Sequence, residues 1–160
     1  MKAEDLFISE CIADKITASS KKQLLQEMAE RVVQCGALGE STDLDVRDVV
    51  CAVMERERLG STGVGAGVAI PHARLRGLQT VKAVFARLET PLDYEALDDR
   101  PVDLVIMLLA PAHASGDHLK ALAQVSRLMR RKEMRDRLRN APDAESLYML
   151  LTEDRSANAA

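Results

Sequence analysis

The stretch Gly60-Ser61-Thr62-Gly63-Val64-Gly65-Ala66-Gly67-Val68-Ala69-Ile70-Pro71-His72-Ala73-Arg74 marks where the chain changes character. A glycine-rich loop runs into a short apolar strand, and Pro-His stands at the strand's end. Proline removes a backbone donor and stiffens the approach, so the imidazole of His72 is presented rather than lost in a ladder. Alternating glycines allow close backbone approach and can turn several N–H groups toward an anion. A fixed imidazole beside such a backbone suggests a phosphoryl carrier. A turn histidine without chemistry stays open from these residues alone.

Upstream the periodicity is helical. Ser19-Ser20 precedes Lys-Lys-Gln, a capping box, and Leu24, Leu25, Met28, Ala29, Val32 and Val33 recur at helical spacing until Gly36. A second helix is expected after Ser41-Thr42-Asp43, with Val46, Val49, Val50, Val53 and Met54 on one face and Gly60 as its end. Downstream, Val68–Ile70, Val81–Leu88 and Leu104–Ala110 read as strands, the last two apolar enough to be covered on both faces. The link between those two is too short for a comfortable helical crossover, which predicts an antiparallel pair. A third helix opens with Ser115 as N-cap and carries His118, Leu122, Val125 and Met129 inward. Two more helices follow, roughly 133–140 and 143–151. Helices first, strands in the middle and helices last predict an α/β fold, a three-layer α/β/α sandwich with a central mixed β-sheet. A single domain over 1–152 and a flexible tail over 153–160 are expected.

Composition narrows the function. With two Phe, two Tyr and no Trp among 160 residues, the interior must be aliphatic. The net charge of −3 argues against a nucleic-acid binder. Arg127, Arg130, Arg131, Lys132, Arg135, Arg137 and Arg139 crowd the C-terminal third, yet Glu133 and Asp136 interleave and no aromatics offer stacking. A solvated helical face is therefore expected over a docking surface for an acidic partner. No membrane-length apolar run and no leader pattern occur, which predicts a cytoplasmic protein without membrane insertion. Cys11, Cys35 and Cys51 match no metal spacing or redox pair, and buried, reduced thiols are expected. The glycine loop lacks a dinucleotide fingerprint, a P-loop lysine and a serine elbow. His113 and His118 sit at a spacing ill suited to zinc. Neither metal nor cofactor is expected.

Arg56-Glu57-Arg58-Leu59-Gly60-Ser61-Thr62 followed by the run to Pro71-His72 resembles the phosphorylation-site signature of enzyme IIA proteins of the bacterial phosphotransferase system. The resemblance is to the mannitol/fructose type, and in particular to its stand-alone nitrogen-related form. Leu88-Glu89-Thr90-Pro91-Leu92, Arg100-Pro101-Val102-Asp103-Leu104 and Asp117-His118-Leu119 resemble the same family in the same order. The likeness spans about Leu6 to Leu151. It implies a phosphohistidine at His72, a neighbouring histidine at His118 and an arginine of the site at Arg56, and it gives His113 no role. It implies phosphorylation at Nε2, with Nδ1–H given to a backbone carbonyl.

An HPr-like phosphocarrier protein would be the donor, regulatory proteins the targets, and the phosphorylation state the signal. A sugar-specific component feeding a separate permease and an unphosphorylated binding module are the alternatives. Ala73 and Arg74 depart from the family's frequent glycine and lysine, which bears on docking. On chemical grounds Arg56 offers a guanidinium fork, His118 a neutral N–H at a helix start, and Thr62, Gly63 and the loop amides further phosphoryl-binding donors.

Overall fold

The apolar run near residue 105 becomes the strand around which the rest is arranged. In the computed structural model, which describes residues 2–39, 43–113 and 116–153, the chain opens with a short helix, α1 (Ala3–Leu6), and a single 3-10 turn, Ser9–Cys11. Strand β1 (Ala13–Ile16) and helices α2 (Lys21–Gln34) and α3 (Val46–Arg58) follow. Then come β2 (Gly63–Gly65), β3 (Val68–Ala69), β4 (His72–Leu75), β5 (Lys82–Leu92) and β6 (Val102–Pro111). Helices α4 (Asp117–Arg130), α5 (Lys132–Asn140) and α6 (Ala144–Thr152) close the described chain.

The sheet runs β1-β5-β6-β3-β2, with β4 also paired to β6. It is mixed, as expected. β5 and β6 are antiparallel, whereas β3 and β4 lie parallel to β6, one after the other. β1 pairs parallel with β5.

Alternation along the central strands separates two cores. Val84, Ala86, Val105, Met107 and Leu109 pack with α2 and α3 on one face. Ala83, Phe85, Leu104, Ile106 and Leu108 pack with α4, α5 and α6 on the other. Successive side chains of a strand point to opposite faces, so a strand apolar throughout requires cover on both. This is the three-layer sandwich anticipated above.

Local chemistry sets the helix ends. Ser20 accepts from Gln23 N at 3.1 Å and starts α2, while Gln23 Oε1 takes Ser19 N and Ser19 Oγ at 2.7 and 2.8 Å. Asp45 and Asp48 form a reciprocal capping box at the start of α3, later than expected; Ser41 and Thr42 lie outside the described residues. Gly116 takes the N-cap position of α4, and Ser115, expected there, is also outside them. Of the tail expected over 153–160, residues 154–160 are outside as well. Among the described residues no helix is long and apolar enough to cross a membrane.

Two expectations are corrected. Cys11 and Cys35, read as reduced thiols, are joined in a disulfide with Cα atoms 5.5 Å apart, because the 3-10 turn lies beside the end of α2. Cys51, expected buried, is exposed on α3. The basic C-terminal third is also less idle than a solvated face. Arg135 caps the end of α4 through the carbonyls of Met129 and Arg130, and Arg139 grips Asp103 with Nε and Nη2, both at 2.9 Å.

Arg139 Nη2 also donates to Ala66 O at 2.7 Å, and Asp98 accepts from Ala66 N at 2.9 Å, so the β2–β3 turn is pinned from both sides. Gly67, at φ +80°, sits where a Cβ would lie 2.9 Å from Asp103 Oδ1 and would also strike Arg139. Gly36 has the same φ with nothing within 4 Å of a built Cβ. Gly36→Ala should therefore cost about 1 kcal/mol from backbone strain alone. Gly67→Ala should cost about 2 kcal/mol or more by breaking the Arg139–Asp103–Ala66 grip as well. Urea midpoints of the two variants, compared at equal m-value, check the difference.

Candidate functional site

His72 begins β4 rather than ending the strand before it. Between β3 and β4 the chain steps out of the ladder at Ile70-Pro71, where proline has no N–H to give. Ile70 N turns back to Thr62 O at 3.0 Å, while Leu108 N reaches Pro71 O at 2.9 Å and keeps the strands in register. Ile70 O is thereby free to accept the Nδ1–H of His72 at 2.8 Å. That bond selects the tautomer, because a neutral imidazole that donates from Nδ1 keeps its lone pair on Nε2. Nε2 has no partner among the described residues, and the ring is half-buried.

His118 arrives from the opposite layer, in the first turn of α4. Its ring centroid stands 5.6 Å from that of His72, tilted by 50°. It is buried, and its Nδ1 is a buried polar atom without a hydrogen-bond partner among the described residues. Burial first, then the charges of His72 and Arg74, push its pKa below the ordinary 6.5. His118 is therefore neutral at neutral pH and can offer an N–H without bringing a full charge.

Arg56, in the last turn of α3, gives Nη1 to Gly60 O at 3.0 Å. It lines, with His72, His118 and Arg74, an open cleft of about 430 Å³ whose remaining walls are Ala52, Glu55, Leu59 and Ala73. The structure thus brings His72, His118 and Arg56 together. Arg74 joins them, a residue that sequence reasoning tied only to docking. The signal was present: two residues beyond His72 on a strand means the same face. His113 lies in a separate hollow with Glu4, Asp5, Lys82 and Asp117.

The glycine loop does not frame this cleft. Val68 and His72 pair with Leu104 and Leu108, four residues apart on β6, so the β2–β3 turn lies about 13 Å or more up the sheet. Three amides of the glycine-rich stretch are already committed: Thr62 N to Glu57, Gly63 N to Ser61 Oγ and Ala66 N to Asp98. The Thr62 hydroxyl donates to Glu57 in a buried cluster with Tyr94. Gly63 is small because a Cβ there would lie 2.7 Å from that of Ala96. Thr62 and Gly63, expected to bind the phosphoryl group, are not among the residues that line the cleft, and their amides are bonded within the fold. The anion-facing charge of the cleft comes from Arg56 and Arg74.

A pH signature follows from His118. In the unfolded chain it protonates near 6.5, while the folded protein holds it neutral to lower pH. The unfolded state then binds more protons in the window just below 6.5, so stability rises with pH through that window and is lost as pH falls. Thermal unfolding between about pH 5 and pH 7 should show this slope, and His118→Gln should flatten it. An equal slope in the variant would assign the dependence to other groups.

Comparison with known proteins identifies the family. The model of the family described as phosphoenolpyruvate-dependent sugar phosphotransferase system, EIIA 2, matches residues 5–154. A nitrogen regulatory protein of Bradyrhizobium diazoefficiens is 44% identical over 151 residues, covering 94% of this chain and 95% of that protein. One of Pseudomonas aeruginosa is 40% identical over 138 residues, 86% of each. The crystal structure of nitrogen regulatory protein IIA-Ntr from Neisseria meningitidis superposes with a TM-score of 0.84 at 32% identity, covering 92% of this chain and 97% of that one. With a matched region that runs through all three layers and both cleft histidines, the chain belongs to the EIIA 2 family of the phosphoenolpyruvate-dependent phosphotransferase system.

Proposed function

We propose that this protein is a cytoplasmic phosphohistidine carrier of the nitrogen-related phosphotransferase branch. It accepts a phosphoryl group from an HPr-like protein on Nε2 of His72 and regulates partner proteins by its phosphorylation state. One observation carries the reading: the 2.8 Å bond from His72 Nδ1–H to Ile70 O, which leaves the Nε2 lone pair in a cleft lined by two arginines.

In the transfer, the Nε2 lone pair forms a bond to phosphorus as the phosphorus–nitrogen bond of the donor's phosphohistidine breaks. The electron pair of that bond returns to the donor's imidazole. Nδ1–H stays on the Ile70 carbonyl throughout, so the acceptor ring needs no proton rearrangement. Such a transition state is loose and asks for alignment and charge stabilisation rather than further covalent help. Arg56 and Arg74 supply cationic charge, and guanidinium groups suit phosphate oxygens. A neutral His118 donates one more hydrogen bond. Once phosphate sits beside it, its pKa rises and the bond gains charge assistance. Phosphorylation replaces a cation-lined cleft with a locally anionic one, which gives a partner a difference to read. The similarity to nitrogen regulatory proteins across nearly the whole chain favours regulation over sugar delivery.

Incubation with phosphoenolpyruvate, the system's first enzyme and the HPr-like carrier should give an acid-labile, alkali-stable label on the protein. His72→Ala should abolish it. His118→Gln should slow its appearance by about 100-fold, the usual cost of removing one preorganised donor. A His72→Ala protein labelled as well as the parent would end the proposal.

A further inference from the structure

The cleft accounts for His72, His118, Arg56 and Arg74 but leaves an expensive feature unexplained. Glu57, next to Arg56 on α3, is buried, with its side chain only 3% exposed. It has three partners. Lys21 Nζ lies 2.8 Å from Oε1, Thr62 N donates to Oε1 at 3.1 Å, and the Thr62 hydroxyl donates to Oε2. Around them Tyr94 OH stands 3.2 Å from Thr62 Oγ1, and Lys21 Nζ sits 4.5 Å above the Tyr94 ring. Burial and the Glu57 carboxylate hold the Tyr94 hydroxyl protonated well above its ordinary range. A buried ion pair is weak grounds for stability, since apolar residues could fill the same volume at lower cost. Its retention asks for another reason.

The reason lies in what Thr62 does with its other side. Thr62 O accepts Ile70 N at 3.0 Å, and Ile70 O accepts His72 Nδ1–H at 2.8 Å. A continuous set of hydrogen bonds therefore leads from the Glu57 carboxylate, through residues 62 and 70, to the ring of His72. Each step fixes a backbone position rather than moving a proton. Glu57 clamps Thr62 through both its amide and its hydroxyl, Thr62 anchors Ile70, and Ile70 aims one carbonyl at Nδ1. We propose that Glu57 is a positioning residue for His72: from the end of α3 it holds the Ile70 carbonyl that selects the Nδ1–H tautomer and leaves Nε2 unprotonated. The role rests on the phosphocarrier reading for its purpose, but not for its test.

The test uses the full chain labelled with 15N and long-range proton–nitrogen correlation at about pH 8, where imidazoles are neutral and the tautomer is read directly. The wild type should show His72 protonated at Nδ1. Glu57→Ala should shift His72 toward the Nε2–H form and slow phosphoryl acceptance by up to about 100-fold, as misplacement does. Glu57→Gln, which keeps an acceptor for Thr62 N but not for the hydroxyl, should lie between. Lys21→Met removes the ion pair without touching Thr62. It should lower the melting temperature and leave the tautomer as in wild type, which a merely structural Glu57 would also do. If Glu57→Ala does not fold, Thr62→Val should give the same shift in smaller measure. A folded Glu57→Ala with the wild-type tautomer, or in its absence such a Thr62→Val, overturns the proposal. If the wild type never takes up phosphate while Glu57→Ala still shifts the tautomer, the carrier reading is overturned and Glu57's role stands.

Discussion

Burial of β6 on both faces is the constraint that orders the rest. Every residue from Leu104 to Pro111 is buried, and a strand in that position must be matched by hydrogen bonds on both edges and by apolar cover above and below. β5 supplies one edge, and β3 and β4 share the other in line. Because β4 is registered on β6 from Leu108 onward, the place of His72 is set by the core rather than by its own loop. α4 covers the same strand from the outer layer and delivers His118 from its first turn. Two histidines 46 positions apart in sequence thus meet because both belong to elements packed on one strand.

The cleft's electrostatics follow from unequal burial. His118 is buried and His72 only half so, and burial first, then nearby positive charge, disfavours a charge on His118. Cationic character is left to Arg56 and Arg74, whose guanidinium groups remain charged under any physiological condition. The imidazoles supply a lone pair and a neutral donor, while the arginines supply charge. An anion entering the cleft therefore meets fixed positive charge beside the unpartnered Nε2 of His72.

Much of this was legible in the chain. The aliphatic stripe of α2, its stop at Gly36 and the doubly apolar run of β6 determined the layers, because helical and strand periodicities differ and β6 has no polar face. The short link before β6 required an antiparallel neighbour, and β5 is that neighbour. His72, His118 and Arg56 were singled out by motif resemblance, and the structure places all three along one cleft. Other features left no readable trace. β1 and β4 are four residues each, too short for periodicity to show, and pairing alone makes them strands. The Cys11–Cys35 bridge depends on two segments meeting in space, which spacing does not reveal. The glycines are ambiguous for an instructive reason. Close approach and positive φ are required in a hairpin turn gripped by Arg139 as much as in an anion cradle, and composition alone does not distinguish them.

The last turn of α3 shows how one short segment can serve both the inside and the outside of a site. Neighbouring residues on a helix point about 100° apart, so Arg56 and Glu57 cannot share an environment. Arg56 turns to the cleft and reaches back to Gly60 O, while Glu57 turns to the core and takes Thr62. Both act on the loop that follows their own helix, one at residue 60 and one at residue 62. The chain therefore leaves α3 along a path fixed at two points before it enters the sheet. That path ends at Ile70, whose carbonyl meets the ring that the cleft is built around. An error at the helix end would pass to the imidazole through a few hydrogen bonds. The charged pair Arg56-Glu57 is thus better understood as a single device, with its cation facing the cleft and its anion holding the frame.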